Sequence, residues 1–175
     1  LTMSALFTDL KAIVGPSGLL TEASDLDYYG KDSCKEYVAN PSAVVLPTTR
    51  EQVRDIILAC RKHHRALVPS GGRTGYSGGA TAQNREIVLS LSKLNKIKAI
   101  NLQNQTITVE AGVTTEAIQQ TARAKSLCYP VDFASRGSSQ IGGNVATNAG
   151  GVRVIRYGST REWVLGLEVV TGAGE

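Results

Sequence analysis

Nine of the eighteen glycines in this 175-residue chain fall in two short windows, residues 71–79 and 142–151. Glycine enters positive φ freely and, having no Cβ, lets another group come close to its backbone. Two dense runs of it commit the chain to two segments of special backbone, and the rest of the fold must hold them. The glycines do not recur every third residue, so a collagen-like helix is excluded. Apolar residues at 42% and charged residues at 19% describe a globular chain. At this length roughly two-thirds of the unfolded surface is buried on folding, so no metal or disulfide is needed.

The stretch leading to the first window reads as a β-α-β unit. Ala43-Val44-Val45-Leu46 is a short apolar run closed by Pro47, hence a strand. Thr48 or Thr49 stands where a helix cap belongs, with Glu51 or Gln52 at the capping-box position. Val53, Ile56, Ile57 and Cys60 follow at helical spacing. The run ends in Arg61-Lys62-His63-His64-Arg65, cations at the negative end of the helix dipole. Ala66-Leu67-Val68-Pro69 is a second strand, and the first window, Ser70 to Gly79, opens where it stops. Open α/β sheets bind ligands at that end of a strand. Successive N–H groups there form a nest for an anion, and Ser70, Thr74 and Ser77 add hydroxyls. The chemistry suits a phosphate or pyrophosphate; a flexible or tightly packed turn is the plainer alternative.

Elsewhere the signals are local. Residues 4–14 read as an amphipathic helix capped by Ser4 and stopped by Gly15-Pro16, and the polar residues 21–40 hold a weak helix at best. Ile87-Val88-Leu89-Ser90-Leu91 is a third strand. Residues 97–101 and 106–111 read as a hairpin across Gln103-Asn104. Thr114 or Thr115 caps a helix through Ser126. The second window follows the extended Tyr129-Pro130-Val131-Asp132 and predicts a short helix at 142–148 with its N-terminus free for an anion. A small-residue helix packed closely on a sheet is the alternative. Val164–Val170 reads as a strand whose return partner is missing, which points to a piece of a longer protein. A change from parallel to antiparallel architecture falls near residues 92–104.

Several function classes drop out. The dinucleotide fingerprint G-x-G-x-x-G does not occur, and Gly143-Asn144 stands where a P-loop needs Lys-Ser/Thr. No run of about 18 apolar residues exists, and LTMSALFTDLKAIVG is not a secretory leader. Cys34, Cys60 and Cys128 form no C-x-x-C pair and read as reduced intracellular thiols, so no metal site is expected and the chain is assigned to the cytoplasm, with a peripheral place at the inner membrane left open. Net charge +4 is compatible with an anionic ligand, but aromatic residues at 5% offer no stacking platform for nucleic acid. No pair of side chains makes an acid–base constellation, so catalytic residues stay unassigned.

Five blocks in one order carry a family likeness: PSAVVLPTTREQV, VPSGGRTGYSGGA, ITVEAGVTTEAI, PVDFASRGSSQIGGNVATNAGG and RYGSTREWVLGLEVVTGAGE. Over residues 41–175 the chain resembles the FAD-binding domain of the vanillyl-alcohol oxidase / p-cresol methylhydroxylase flavoproteins. Within that superfamily it is most similar to the FAD-linked 2-hydroxy-acid dehydrogenases, the group of D-lactate dehydrogenase, the glycolate oxidase flavin subunit and D-2-hydroxyglutarate dehydrogenase. The resemblance implies an α+β fold: a small parallel β-α-β lobe, a larger, mostly antiparallel lobe cut short at its C-terminus, and FAD between them. It divides the chain into an N-terminal helical segment (1–40), a first lobe (41–98) and a second lobe (99–175). By carry-over, Ser70, Gly71, Gly72, Arg73, Thr74, Gly75 and Tyr76 contact the pyrophosphate, mostly through backbone N–H. Pro130, Gly137, Ser138, Gly142, Asn144, Thr147, Asn148 and Gly150 serve the pyrophosphate, ribityl and flavin side.

Some members link the flavin to a histidine in the first loop; this loop has none. His63 and His64 read as surface residues at a helix end and Cys128 as a packed thiol, so the FAD is expected to be non-covalent. The family's catalytic histidine, metal ligands and cap domain belong to sequence beyond residue 175. Asp132 reads as a turn or cap residue, and Arg153, Arg156 and Arg161 as solvated or salt-bridged. The implied activity is oxidation of a 2-hydroxy acid by hydride transfer to flavin, with an electron acceptor in the intact enzyme. A non-catalytic nucleotide-binding or interaction module is the alternative.

Overall fold

In the computed structural model, which describes residues 3–175, the chain divides into two compact units. The first comprises residues up to Lys93 together with Glu168–Glu175, and the second Leu94–Leu167. The first unit is built on a four-stranded sheet. Its strands are β1 (Leu19–Leu20), β2 (Ala43–Val45), β3 (Leu67–Ser70) and β4 (Ile87–Ser90), in the spatial order β1-β2-β4-β3. β2 and β3 each pair with β4 in parallel, and β1 adds antiparallel to β2.

Both faces of this sheet are buried, which is why its strands are continuous apolar runs rather than alternating ones. Ala43, Val45, Ile87 and Leu89 face Leu6 and Leu10 of helix α1 (Met3–Val14) and Ile56, Ala59 and Cys60 of helix α3 (Arg50–Lys62). Val44 and Val88 point the other way, against Leu46 and Ala82, with Leu26 and Tyr29 of helix α2 (Ala23–Tyr29) packed over them. Each such aliphatic side chain contributes about 1.5–3 kcal/mol by burial. Thr49 caps α3 by accepting from the amide of Gln52, whose Oε1 accepts from the amide of Thr48 at 2.8 Å. This pair satisfies the first-turn N–H of Gln52 and that of Thr48, the residue just before the cap. Among the described residues α1 already includes Met3, so Ser4 lies within the helix rather than capping it.

The second unit opens with the antiparallel ribbon β5 (Ile97–Asn101) and β6 (Thr106–Val109). Thr114 caps helix α4 (Thr115–Arg123), which stops three residues before the expected end. Helices α5 (Ile141–Thr147) and α6 (Val154–Tyr157) follow, then a 3-10 turn at Thr160–Trp163. The expected strand at 164–170 does not form. Leu165, Leu167 and Val169 are exposed, and the described hydrogen bonds give this segment no neighbouring strand. Apolar alternation specifies which face a strand buries, but a ladder needs a second backbone.

Candidate functional site

The first glycine window leaves β3 as an irregular loop whose carbonyls and amides have opposite fates. Four of the loop's carbonyls, those of Gly71, Arg73, Gly75 and Gly78, find partners within the chain. Gly71 O accepts from the Arg73 guanidinium at 3.1 Å, Arg73 O from Ser33 Oγ at 3.2 Å, and Gly75 O from the Ser33 amide at 3.0 Å. Among the described residues, no amide from Gly71 to Gly79 donates to another group of the chain. Arg73 adopts φ 56°, in the left-handed region, and such a break in handedness is what nests of successive N–H groups are built on. Gly78 has φ 74°, and a Cβ on it would lie 2.3 Å from the ring of Tyr37, so only glycine fits. Behind the loop, Thr81 Oγ1 donates to Asp32 Oδ1 at 3.2 Å, and the same carboxylate oxygen accepts from the Cys34 amide at 2.9 Å.

Of the residues expected here, Ser70 is buried at the end of β3, Gly71 to Thr74 are half-buried, and Gly75 and Tyr76 are exposed. Sequence reading missed the residues that shape the loop. Tyr28, Tyr29, Asp32, Ser33 and Tyr37 lie in the segment read as a weak helix. No local signal links them to a loop some forty positions later.

The second window is assembled differently. α5 starts with its first two amides already engaged: Ile141 N donates to Val113 O at 2.8 Å and Gly142 N to Ala111 O at 2.9 Å. A Cβ on Gly142 would lie 2.8 Å from the Cβ of Ala111, so its glycine is demanded by that approach. Gly143, one position on, faces open space. Asn144 is buried and ties the unit together: its Nδ2 donates to Thr115 Oγ1 at 2.6 Å, and its Oδ1 accepts from Ser139 Oγ. Asn148 ends α5 at φ 49° and its Oδ1 accepts from the Arg161 amide at 2.9 Å. Gly151 packs on the backbone of Asp132, where a Cβ would lie 1.9 Å from the carbonyl oxygen. Pro130 is buried, Gly137, Ser138, Thr147 and Gly150 are exposed, and Thr147 Oγ1 donates back to Gly143 O at 3.0 Å.

Other side chains take structural places. His63 is buried rather than on the surface, with Nε2 2.8 Å from Asp9 Oδ2; Lys62 Nζ lies 2.9 Å from the same oxygen. Lys62 and His63 hold the Asp9 carboxyl below its ordinary range. Cys128 is exposed, not packed: it lies in an irregular stretch after α4, with neither helix nor strand to turn its side chain into a core. Burial pushes the Cys60 thiol up to about 11, which keeps it protonated and inert. Asp132 forms ion pairs with Arg136 at 3.3 Å and Arg153 at 3.6 Å. Arg156 stacks on Tyr157 at 5.2 Å. Among the described residues no cluster of His, Cys, Asp and Glu could hold a metal ion, and no helix is long and apolar enough to cross a membrane.

Comparison with known proteins places these observations. The sequence model of a family described as FAD binding domain matches residues 41–175. The chain is 55% identical over 157 residues to a D-2-hydroxyglutarate dehydrogenase of Xanthomonas citri pv. viticola, covering 90% of this chain and 33% of that protein. It is 51% identical over 175 residues to a D-2-hydroxyglutarate dehydrogenase of Stutzerimonas stutzeri, covering 100% of this chain and 38% of that protein. Its fold matches the crystal structure of p-cresol methylhydroxylase with substrate bound, with TM-score 0.83 and 26% identity over 98% of this chain and 34% of the other. The chain thus spans about a third of the length of the relatives it matches.

Proposed function

This chain belongs to the FAD binding domain family, and from that premise we propose that it supplies the cofactor-holding part of a flavin-dependent dehydrogenase acting on a 2-hydroxy acid. The observation that carries the reading is the first loop. Its amides have no partner among the described residues while the carbonyls of Gly71, Arg73, Gly75 and Gly78 are bonded, a donor set that suits an anion and disfavours a cation. The pyrophosphate of FAD is such an anion. In this reading Ser70, Gly71, Gly72, Arg73, Thr74, Gly75 and Tyr76 frame the pyrophosphate. Pro130, Gly137, Ser138, Gly142, Asn144, Thr147, Asn148 and Gly150 form the second part of the cofactor's surroundings, and residues 41–98 and 99–175 act as the two FAD-holding lobes. Asn144 acts there by fixing α5, since its amide group is already committed to Thr115 and Ser139.

No histidine stands in the first loop, which favours non-covalent binding. Bound FAD supplies the two-electron acceptor for oxidation of an alcohol carbon. What these residues contribute is binding and orientation; none of them carries a side chain that serves readily as a general base near neutral pH. The relatives at 55% and 51% identity carry the name D-2-hydroxyglutarate dehydrogenase, which favours a dicarboxylic 2-hydroxy acid as substrate. The electron acceptor, a cap domain with the catalytic base, and a cytoplasmic location belong to the same proposal.

The test has two parts. The purified protein is denatured and the released flavin identified; FAD, rather than FMN or none, is expected. FAD is then titrated into the stripped protein, and turnover of D-2-hydroxyglutarate and D-lactate is followed with an artificial acceptor in the full-length enzyme. Failure of the stripped protein to take up FAD overturns the reading. FAD binding without oxidation of any 2-hydroxy acid favours a nucleotide-binding module.

A further inference from the structure

The segment before residue 41 lies outside the matched family span, yet it grips the first glycine loop. The guanidinium carbon of Arg73 sits 4.3 Å from the ring centroid of Tyr28 and 4.9 Å from that of Tyr29. The two rings meet edge to face with centroids 4.9 Å apart. The same guanidinium donates to Gly71 O, two residues back, and so closes the loop on itself. Ser33, on the chain just after α2, donates its hydroxyl to the carbonyl of Arg73 and its amide to that of Gly75. Tyr29 is also seated on the sheet, packed over Val44 and Val88, so the brace has a rigid base.

We propose that Arg73 and the Tyr28–Tyr29 pair form a brace that sets the shape of the anion-binding loop. Arg73 is then a positioning residue, acting through the loop amides rather than by pairing its own charge with the anion. Two facts separate these roles. The guanidinium is committed to a carbonyl and two rings, and among the described ion pairs it has no carboxylate partner. Its charge is met by the ring quadrupoles, an attraction worth about 0.5–1 kcal/mol per exposed ring. With the guanidinium held back, the carbonyls of Gly71, Arg73 and Gly75 stay bonded and the amides of residues 71–75 stay without chain partners before any ligand arrives. Such preorganisation raises affinity by removing the cost of ordering the loop on binding. The inference rests on the reading of this loop as a phosphate cradle.

The experiment uses the full chain and two readouts. In the FAD-free protein, trypsin cuts after Arg73 only when the guanidinium leaves the rings, and the Arg73–Thr74 cut is followed by mass spectrometry. Tyr28→Ala with Tyr29→Ala should speed that cut and raise the Kd for FAD, each about ten-fold, as two lost ring contacts imply. Tyr28→Phe with Tyr29→Phe keeps the ring faces and should restore both. Arg73→Gly relaxes the left-handed backbone but removes the brace, so its Kd should also rise about ten-fold. Tyr28→Ala alone, at a ring that is 60% exposed, decides the matter if the alanine pair does not fold, with the cut still faster than in the parent and reversed by Tyr28→Phe. An unchanged cut rate, no rescue by phenylalanine, or Arg73→Gly binding as tightly as the parent overturns the brace. If the parent chain binds no FAD, the functional reading fails, and the trypsin readout alone still decides whether the brace exists.

Discussion

The two glycine windows are alike in composition and opposite in construction. In the first, glycine leaves amides without partners: four carbonyls are bonded and no described amide of Gly71–Gly79 is used. In the second, glycine lets backbones touch: Gly142 meets Ala111, Gly151 meets Asp132, and the first amides of α5 are consumed. One window is a donor surface held from behind; the other is a packed joint with a buried asparagine at its centre. Glycine density alone therefore does not say whether a loop binds or packs. What decides is where the hydrogen bonds of the backbone go.

The sharpest way to break this contrast is to add a methyl group to each kind of glycine. Gly151→Ala puts a Cβ 1.9 Å from a carbonyl oxygen, so the backbone must move. We expect a loss of about 3 kcal/mol in denaturant unfolding. Equal stability in the variant would show that the second window is not a packed joint. Asn144→Leu comes next. It removes the bonds to Thr115 and Ser139 and leaves their hydroxyls buried without that partner, a cost of about 2 kcal/mol by the same measurement.

The first window should respond in the opposite manner. Gly75 has ordinary space for a Cβ, with Asp32 Oδ2 at 3.7 Å. Gly75→Ala should leave stability within about 0.5 kcal/mol yet weaken FAD binding several-fold in a fluorescence titration. A stability loss matching that of Gly151→Ala would erase the distinction between the windows.

The smallest effect is one of acid. Glu162 accepts from the amide and hydroxyl of Ser159, each at 2.8 Å, beside the Asn148 cap of the second window. The Ser159 hydroxyl holds its carboxyl below the ordinary 4.5. A carboxyl lowered in the folded state stabilises it above the unfolded value, and that contribution is lost as pH falls through the folded value. The fluorescence of Trp163, the only tryptophan, should therefore shift as pH falls below about 4.5, and the shift should vanish in Glu162→Gln. An unaltered shift in the variant removes Glu162 from the cap.

Much of the frame was legible in the residues. The apolar runs at 43–46, 66–69 and 87–91, the Thr49 cap and the hairpin across 103–104 each carry their signal within a few positions, because periodicity and turn chemistry are local. The expected strand at 164–170 fails for the complementary reason: alternation is local, but pairing is not. His63 read as a surface cation because α3 ends in charge, while its burial depends on Asp9, fifty-four positions earlier.

The sequence by itself determined that two glycine-rich segments exist, that the first follows a parallel strand, and that the chain resembles FAD-binding domains. Only the tertiary structure decided which loop keeps its amides free. That choice is made by Tyr28, Tyr29, Ser33, Ala111 and Asp132, residues brought to the glycines by the packing of α2 on the sheet and by the close approach of backbones. Steric limits on φ and ψ are written in each residue, whereas the partner of a hydrogen bond is chosen by the fold that carries it there.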